Sequence, residues 1–262
     1  MKLRPVVKTH GGKFYVHPWL IENFPTDYQS MHYGEPCCGG ASVLLNKERS
    51  VTERYNDADI HLTHLVQTLA QHGQEFLDIL QSVPYSEETF LKAKAEVDSG
   101  LNLAINQFIV RRMSRGGLQK AFSWSERLRG GRPGDLNAFE TFKKHLPHII
   151  ERLQGVEFSS YDICEFLTKF DSDNTFFYID PPYLPSTRRS PQAYNVEMTE
   201  KEHITMGELV KNVQAKVMIS GYPSQLYMKM FSEWNMATLP VANHSGQNKK
   251  KEMRIEVVWR NY

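Results

Sequence analysis

The tetrapeptide Asp180-Pro181-Pro182-Tyr183 directly follows four apolar residues, Phe176-Phe177-Tyr178-Ile179. Its carboxylate can accept hydrogen bonds from an amine, and its phenol ring can stack on a planar ligand. Two prolines fix φ and would hold both groups in set positions. A strand ending at Ile179 would deliver them to the carboxyl edge of a sheet, where ligands bind in open α/β folds. A stiff turn behind a buried strand has the same sequence, so the tetrapeptide alone leaves both readings open.

A second cluster is Glu35-Pro36-Cys37-Cys38-Gly39-Gly40-Ala41-Ser42. Small residues at 39–42 let backbone approach a ligand closely and are expected to open a helix. Asp57 lies 22 residues after Glu35, at the expected end of a strand over residues 51–55. A carboxylate there can accept from both hydroxyls of a ribose, or it can cap the helix that Ile60, Leu62 and Leu65 announce. Lys13, in a Gly-Gly-Lys run, is either a cation for an anionic ligand group or a surface lysine. Ser160-Tyr161-Asp162 stands before Ile163 and Phe166, where a helix cap would stand. There is no Cys-x-x-Cys and no His-x-x-x-His beside an acid, so no metal is expected. Cys37 and Cys38 read as small buried residues rather than nucleophiles.

These residues need strands to carry them. Short apolar runs alternate with helical segments near residues 199–213 and 224–232, with strands over residues 216–220 and 253–262. That alternation argues for an α/β domain with a largely parallel sheet. Residues 63–155 interrupt it with apolar residues at helical spacing, notably over 62–80 and 146–153. The expected organisation is a catalytic domain formed by residues 1–62 and 156–262, with 63–155 as an inserted helical subdomain on the ligand-binding edge of the sheet.

The chain has 262 residues, 40% hydrophobic and 23% charged, with 14 Phe, 12 Tyr and 4 Trp, which excludes wholesale disorder. Three cysteines form no even framework, and no apolar run is long enough to span a bilayer. The expectation is a cytoplasmic protein without membrane attachment. The formal charge of +1 excludes a uniformly basic nucleic-acid binder. It is nonetheless unevenly spread. Residues 106–155 carry ten Arg or Lys against four acids, 10 − 4 = +6, and residues 156–185 carry one Lys against six acids, 1 − 6 = −5.

Taken in order, Thr9-His10-Gly11-Gly12-Lys13, the Gly-rich cluster, Tyr55-Asn56-Asp57, the tetrapeptide, Glu197-Met198-Thr199, Ser220-Gly221-Tyr222 and Trp259-Arg260-Asn261-Tyr262 resemble the Dam-type (D12-class, α group) DNA adenine-N6 methyltransferases over nearly the whole chain. The resemblance implies a Rossmann-like sheet that binds S-adenosylmethionine. It assigns Thr9, His10, Gly11, Lys13, Glu35, Pro36, Cys37, Gly39, Asp57, Ser160, Tyr161, Asp162 and Asp180 to the cofactor. Among these, Lys13 would meet its methionine carboxylate, Asp57 its ribose and Asp162 its adenine amine. Asp180, Pro181, Pro182 and Tyr183 would be catalytic. Departures stand at Thr9, where the family commonly has an aromatic residue, at Cys37, where it has Phe, and at Ala41, where it has Gly.

The implied reaction moves a methyl group to N6 of an adenine flipped out of double-stranded DNA, by direct in-line displacement. Asp180 and the carbonyl of Pro181 would accept from the amine while Tyr183 stacks on the base. The segment between the cofactor loop and the tetrapeptide is where this family keeps target recognition. Arg111, Arg112, Arg115, Lys120, Trp124, Arg127 and Arg129 are therefore expected at DNA, with Arg188 and Arg189 on the flipped strand. Competing readings are a cytosine-N4 or RNA-directed methyltransferase and a catalytically weak DNA-binding relative. The expected assembly is a monomer or weak dimer, acting alone or with a cognate restriction endonuclease.

Overall fold

The computed structural model describes residues 2–9, 11–187, 196–242 and 253–262. The chain divides into two compact units. One comprises Met1–His17, Gly39–Lys47 and Asp59–Ser160, and the other Pro18–Cys38, Glu48–Ala58 and Tyr161–Tyr262.

The second unit is built on strands β1 (His32–Glu35), β2 (Thr52–Asn56), β3 (Thr175–Ile179), β4 (Lys216–Gly221), β5 (Asn235–Ala242) and β6 (Met253–Arg260). Their neighbour order is β2-β1-β3-β4-β6-β5. The first four run parallel, with Tyr33 opposite both Glu53 and Phe176, and Ile179 opposite Ile219. β6 runs antiparallel to β4, with Ser220 opposite Val258, and pairs antiparallel with β5. This is the largely parallel sheet that the alternation predicts and the Rossmann-like arrangement that the resemblance implies.

All five residues of β3 are buried, as befits a central parallel strand covered on both faces. Phe177 and Ile179 pack with Phe166, Leu167, Val217, Ile219 and Trp259 in one core. On the other face Phe24 meets Phe176 edge to face at 4.7 Å and Tyr178 at 5.8 Å. β2 and β3 lie on opposite sides of β1, so the strand order reverses there. The carboxyl ends of the four parallel strands meet on one edge beside that reversal, where open α/β sheets bind ligands.

The helix Glu200–Val210 starts at a capping box between Thr199 and Glu202. Strand β5 is absent from the sequence expectation. It is an edge strand with Pro240 inside it, and proline in a run reads as a break even though a sheet edge tolerates it.

The first unit holds the helices Ile60–Gln71, Gly73–Gln81, Glu87–Ala95, Gly100–Met113 and Gly134–Leu153, followed by the strand Val156–Ser159. The helical spacing over residues 62–80 is shared between two helices that meet at His72. Phe108 anchors their core, 5.5 Å from Phe76 and 5.9 Å from Phe142. Among the described residues no helix is long and apolar enough to cross a membrane, and no three His, Cys, Asp or Glu side chains cluster as metal ligands.

Candidate active site

In the sheet unit, β3 ends at Ile179 and delivers Asp180 to the carboxyl edge. One oxygen of its carboxylate, Oδ1, accepts from Ser220 Oγ at 2.9 Å, and Ser220 Oγ lies 3.0 Å from the Tyr178 hydroxyl. Ser220 has one hydroxyl proton and gives it to the carboxylate, so Tyr178 donates to Ser220. Burial first, and then the Asp180 charge, push the Tyr178 phenol well up, which keeps that donor protonated. Two adjacent parallel strands thus fix one side of the Asp180 carboxylate. Ser220 was part of a quoted motif but carried no predicted role.

Around Cys37, just beyond β1, stand the carboxylates of Asp57, Asp180 and Asp162. Burial first, then those three in that order, push its thiol well above the ordinary range. The residues expected for ribose, adenine and methyl transfer therefore create one negative field in this unit. Burial and then Glu35 push Cys38 up as well. A raised pKa disfavours the reactive thiolate at both positions.

Asn56 organises this edge and was missed as a site residue. Its amide nitrogen donates to the carbonyls of Pro36 and Tyr161, both at 2.9 Å, and its amide oxygen accepts from Tyr161 N at 2.8 Å. Its own carbonyl accepts from Cys38 N at 2.9 Å. One fully buried side chain so ties the loops after β1 and β2 to the segment carrying Asp162. The signal was an uncharged polar residue beside the Asp at a strand end, which a motif search treats as a spacer.

Asp57 is not the cap of the following helix, because Asp59 holds that place and accepts from Leu62 N at 3.0 Å. Asp162 does cap the helix Ile163–Phe170, accepting from Cys164 N at 2.8 Å. Tyr161 receives Lys169 Nζ at its hydroxyl, 2.6 Å away. Glu35 is buried and accepts from Tyr33 at 2.6 Å. In the tetrapeptide Pro181 and Tyr183 are buried, while Asp180 and Pro182 are partly exposed. Tyr183 donates to Glu256 Oε1 and meets Tyr222 edge to face at 4.6 Å.

Thr9, Gly11, Lys13, Gly39 and Ser160 belong to the helical unit. Lys13 is buried and donates to the Gly11 carbonyl at 2.9 Å. The Thr9 methyl is 3.8 Å from where a Cβ on Gly39 would lie. Residues 39–46 form turns and no helix, correcting the expectation that the Gly-rich loop opens one. The cause is local. Ala41, at φ +61°, follows Gly39 in the left-handed region, and regular helix cannot propagate through that geometry. His10 lies outside the described residues.

The expected DNA residues divide sharply. Arg115, Lys120, Trp124, Arg127 and Arg129 are exposed. Arg129 belongs to a two-stranded ribbon, Leu128–Arg129 against Arg132–Pro133, whose tip residues Gly130 and Gly131 have φ +60° and +79°. Two consecutive positive φ values make the tight hairpin turn that glycine permits and that matches strand twist. Trp124 stacks near Tyr85, with ring centroids 6.4 Å apart, and keeps half its surface exposed. Arg111 and Arg112, by contrast, turn inward. Arg111 pairs with Asp59 at 2.9 Å, and Arg112 lies over the Phe142 ring while donating to the Val6 carbonyl at 2.9 Å and to Pro5. Both sit in the last turn of a packed helix, so their guanidiniums brace the unit and are removed from the DNA set. Arg188 and Arg189 lie outside the described residues.

Among curated proteins, the chain is similar to the type II methyltransferase M1.LlaDCHI of Lactococcus lactis subsp. cremoris, 22% identical across 100% of this chain and 96% of that protein. Among solved structures, the rRNA methyltransferase aviRa from Streptomyces viridochromogenes aligns with a TM-score of 0.40 and 12% identity, over 93% of this chain and 81% of that one. The model of the D12 class N6 adenine-specific DNA methyltransferases matches residues 10–244, which include both strand-end clusters and the tetrapeptide. The chain belongs to that family and is a DNA adenine methyltransferase.

Proposed function

We propose that the enzyme transfers a methyl group from S-adenosylmethionine to N6 of an adenine within a specific sequence of double-stranded DNA, after the base has left the duplex. The observation that carries this reading is the Asp180 carboxylate, held by Ser220, at the same strand-end edge as Asp57 and Asp162, all three of which act on Cys37. That donor set fits the cofactor: carboxylates accept from ribose hydroxyls and an adenine amine, and a threefold negative field favours a sulfonium cation. The resemblance, rather than local geometry, assigns Lys13 to the cofactor carboxylate.

When bound, the cofactor supplies an electrophilic methyl group, and no metal or covalent enzyme adduct is required. The N6 lone pair of adenine is delocalised into its ring. Asp180 and the Pro181 carbonyl accept hydrogen bonds from its two N–H groups, hold the lone pair out of conjugation and aim it for in-line attack. The methyl–sulfur bond breaks with S-adenosylhomocysteine as the leaving group, and one N6 proton passes to solvent. Ser220 keeps the carboxylate from rotating. The Tyr183 ring stacks on the extruded base, contributing about 1–3 kcal/mol against the cost of unstacking. Residues 63–155 act in target recognition, with the exposed ribbon and Trp124 at the duplex, and residues 1–62 with 156–262 in catalysis. The enzyme works in the cytoplasm as a monomer or weak dimer, alone or beside a cognate endonuclease.

The test is incubation with labelled S-adenosylmethionine and a mixture of DNA and RNA, followed by mass spectrometry of nucleosides. N6-methyladenine in DNA, lost in Asp180→Ala, is expected. Label only in cytosine or RNA refutes the substrate, and full activity in Asp180→Ala refutes the mechanism.

A further inference from the structure

We propose that Glu256 and Arg254, both on the last strand, are positioning residues that set the two tyrosines of the base-receiving corner; this rests on the reading of Tyr183 given above. Tyr183 is held at two points, its hydroxyl donating to Glu256 Oε1 and its ring meeting Tyr222 at 4.6 Å and 78°. Tyr222 is held at two points as well. Its hydroxyl accepts from Arg254 Nη1 at 3.1 Å, and the guanidinium lies 5.2 Å from its ring centroid. The four side chains form a chain of contacts, Glu256 to Tyr183 to Tyr222 to Arg254, whose two ends lie on the same strand.

Strand geometry makes this possible. Residues two apart on a strand face the same side, so β6 presents Arg254 and Glu256 together. β6 pairs with β4 so that Gly221 stands opposite Val257. The Arg254–Glu256 face therefore emerges where β4 runs out into Tyr222. Glu256 is buried within the apolar run Ile255-Glu256-Val257-Val258-Trp259. An acid there is costly to desolvate, and an apolar side chain would serve packing better. Its placement is explained by the phenol it holds. A tyrosine fixed at the hydroxyl and at the ring edge cannot swing when a base arrives, so the stacking geometry exists before binding. Neither Glu256 nor Arg254 is assigned a contact with base or cofactor, and both act through the rings.

The test separates positioning from packing. Glu256→Leu relieves a buried acid but orphans the buried Tyr183 hydroxyl, so the two effects offset and the melting temperature should change little. Its kcat should fall about tenfold, the loss expected for one charge-assisted hydrogen bond, with KM for S-adenosylmethionine unchanged. Glu256→Gln still accepts from the phenol and should stay within about twofold of wild type. Tyr183→Phe should lose as much as Glu256→Leu, and the double variant no more than either alone. With 2-aminopurine at the target position, Glu256→Leu should leave the extruded base brighter than wild type does, because stacking quenches it. Wild-type kcat in Glu256→Leu or in Tyr183→Phe, or losses that multiply in the double variant, overturns the proposal. If Glu256→Leu does not fold, Tyr183→Phe and Glu256→Gln decide by the same criteria. A wild-type protein that methylates no adenine overturns the underlying reading instead. An active wild type with an inert substitution overturns the anchor alone.

Discussion

Ser220 performs two tasks that substitution can separate. In Ser220→Ala, Asp180 loses a donor at 2.9 Å and Tyr178 loses an acceptor at 3.0 Å. Tyr178 is 1% exposed, so its orphaned hydroxyl should cost about 1–3 kcal/mol of folding free energy. Tyr178→Phe removes the donor and leaves Ser220 bonded to Asp180, for a smaller loss of about 0.5–1.5 kcal/mol. The double variant removes both partners, and its loss should fall short of the sum by about 1 kcal/mol. Activity should follow a different order. The bond to Asp180 involves a charged acceptor that is partly exposed, so water offsets part of its worth. About 1.5 kcal/mol remains, roughly tenfold in kcat. Ser220→Ala and the double variant should both show that loss, while Tyr178→Phe keeps wild-type kcat. Urea titration and single-turnover methylation measure the two quantities. A Tyr178→Phe enzyme as slow as Ser220→Ala, or strictly additive stability losses, would refute the assignment of the bonds.

Three further outcomes are expected. Asn56→Ala loses the bonds to Pro36 and both Tyr161 backbone groups, and should weaken S-adenosylmethionine binding at least tenfold by calorimetry while costing about 3 kcal/mol of stability. Stability should fall as pH rises past about 9. The thiols of Cys37 and Cys38 ionise near their ordinary value of 9.0 when unfolded and higher when folded, so above that value the folded state binds more protons. Urea midpoints at pH 7, 9 and 10 should show this slope, reduced in Cys37→Ser. Gly117→Ala places a Cβ 2.2 Å from the Lys8 carbonyl at φ +74°, whereas Gly116→Ala, at φ +61°, meets nothing closer than 3.9 Å. The first should cost about 1–2 kcal/mol of left-handed strain plus about 1–3 kcal/mol of overpacking, and the second the strain alone, as read from melting temperatures.

The strand ends were legible because β3 must be apolar on both faces and then stop, and two prolines mark the stop. Asp180 was legible for the same reason, since a charge directly after a buried run lies at an edge, whereas Asp57 was legible from its spacing after Glu35. Ser220 and Asn56 were not. Each is an uncharged polar residue at a strand end, and its role depends on the neighbouring strand, which periodicity within one segment does not report. Glu256 was hidden by tertiary context too: only register places it against Tyr183. Ala41 shows the converse. Its φ of +61° explains in backbone terms why a glycine would suit that position.

The basic segment shows where charge counting misleads and how to correct it. Residues 106–155 contain ten cations, but four are spent inside the helical unit. Arg111 pairs with Asp59, and Arg112 holds the Val6 carbonyl. Lys143 binds the Leu80 carbonyl and Glu140, and Arg152 donates to Leu44 and Lys47 carbonyls. Arg115, Lys120, Arg127, Arg129, Arg132 and Lys144 remain exposed. Counterion release gives a slope of about −0.9 in log K against log salt for each phosphate contact, so this segment contributes at most about −5 rather than about −9. Replacing Arg127, Arg129 or Arg132 by Ala should each make the slope shallower by up to about 0.9, with little change in melting temperature. Arg111→Ala should leave the slope alone and cost about 1–3 kcal/mol, because the largely buried Asp59 carboxylate loses its cation while keeping its bond from Leu62 N. Fluorescence anisotropy across a potassium chloride series reads the slope. If Arg111→Ala changes the slope while the ribbon variants do not, the division between inward braces and outward contacts is wrong. The distinction is geometric: an arginine in the last turn of a packed helix has carbonyls and acids within reach, whereas one on a Gly-tipped ribbon has only solvent or a phosphate.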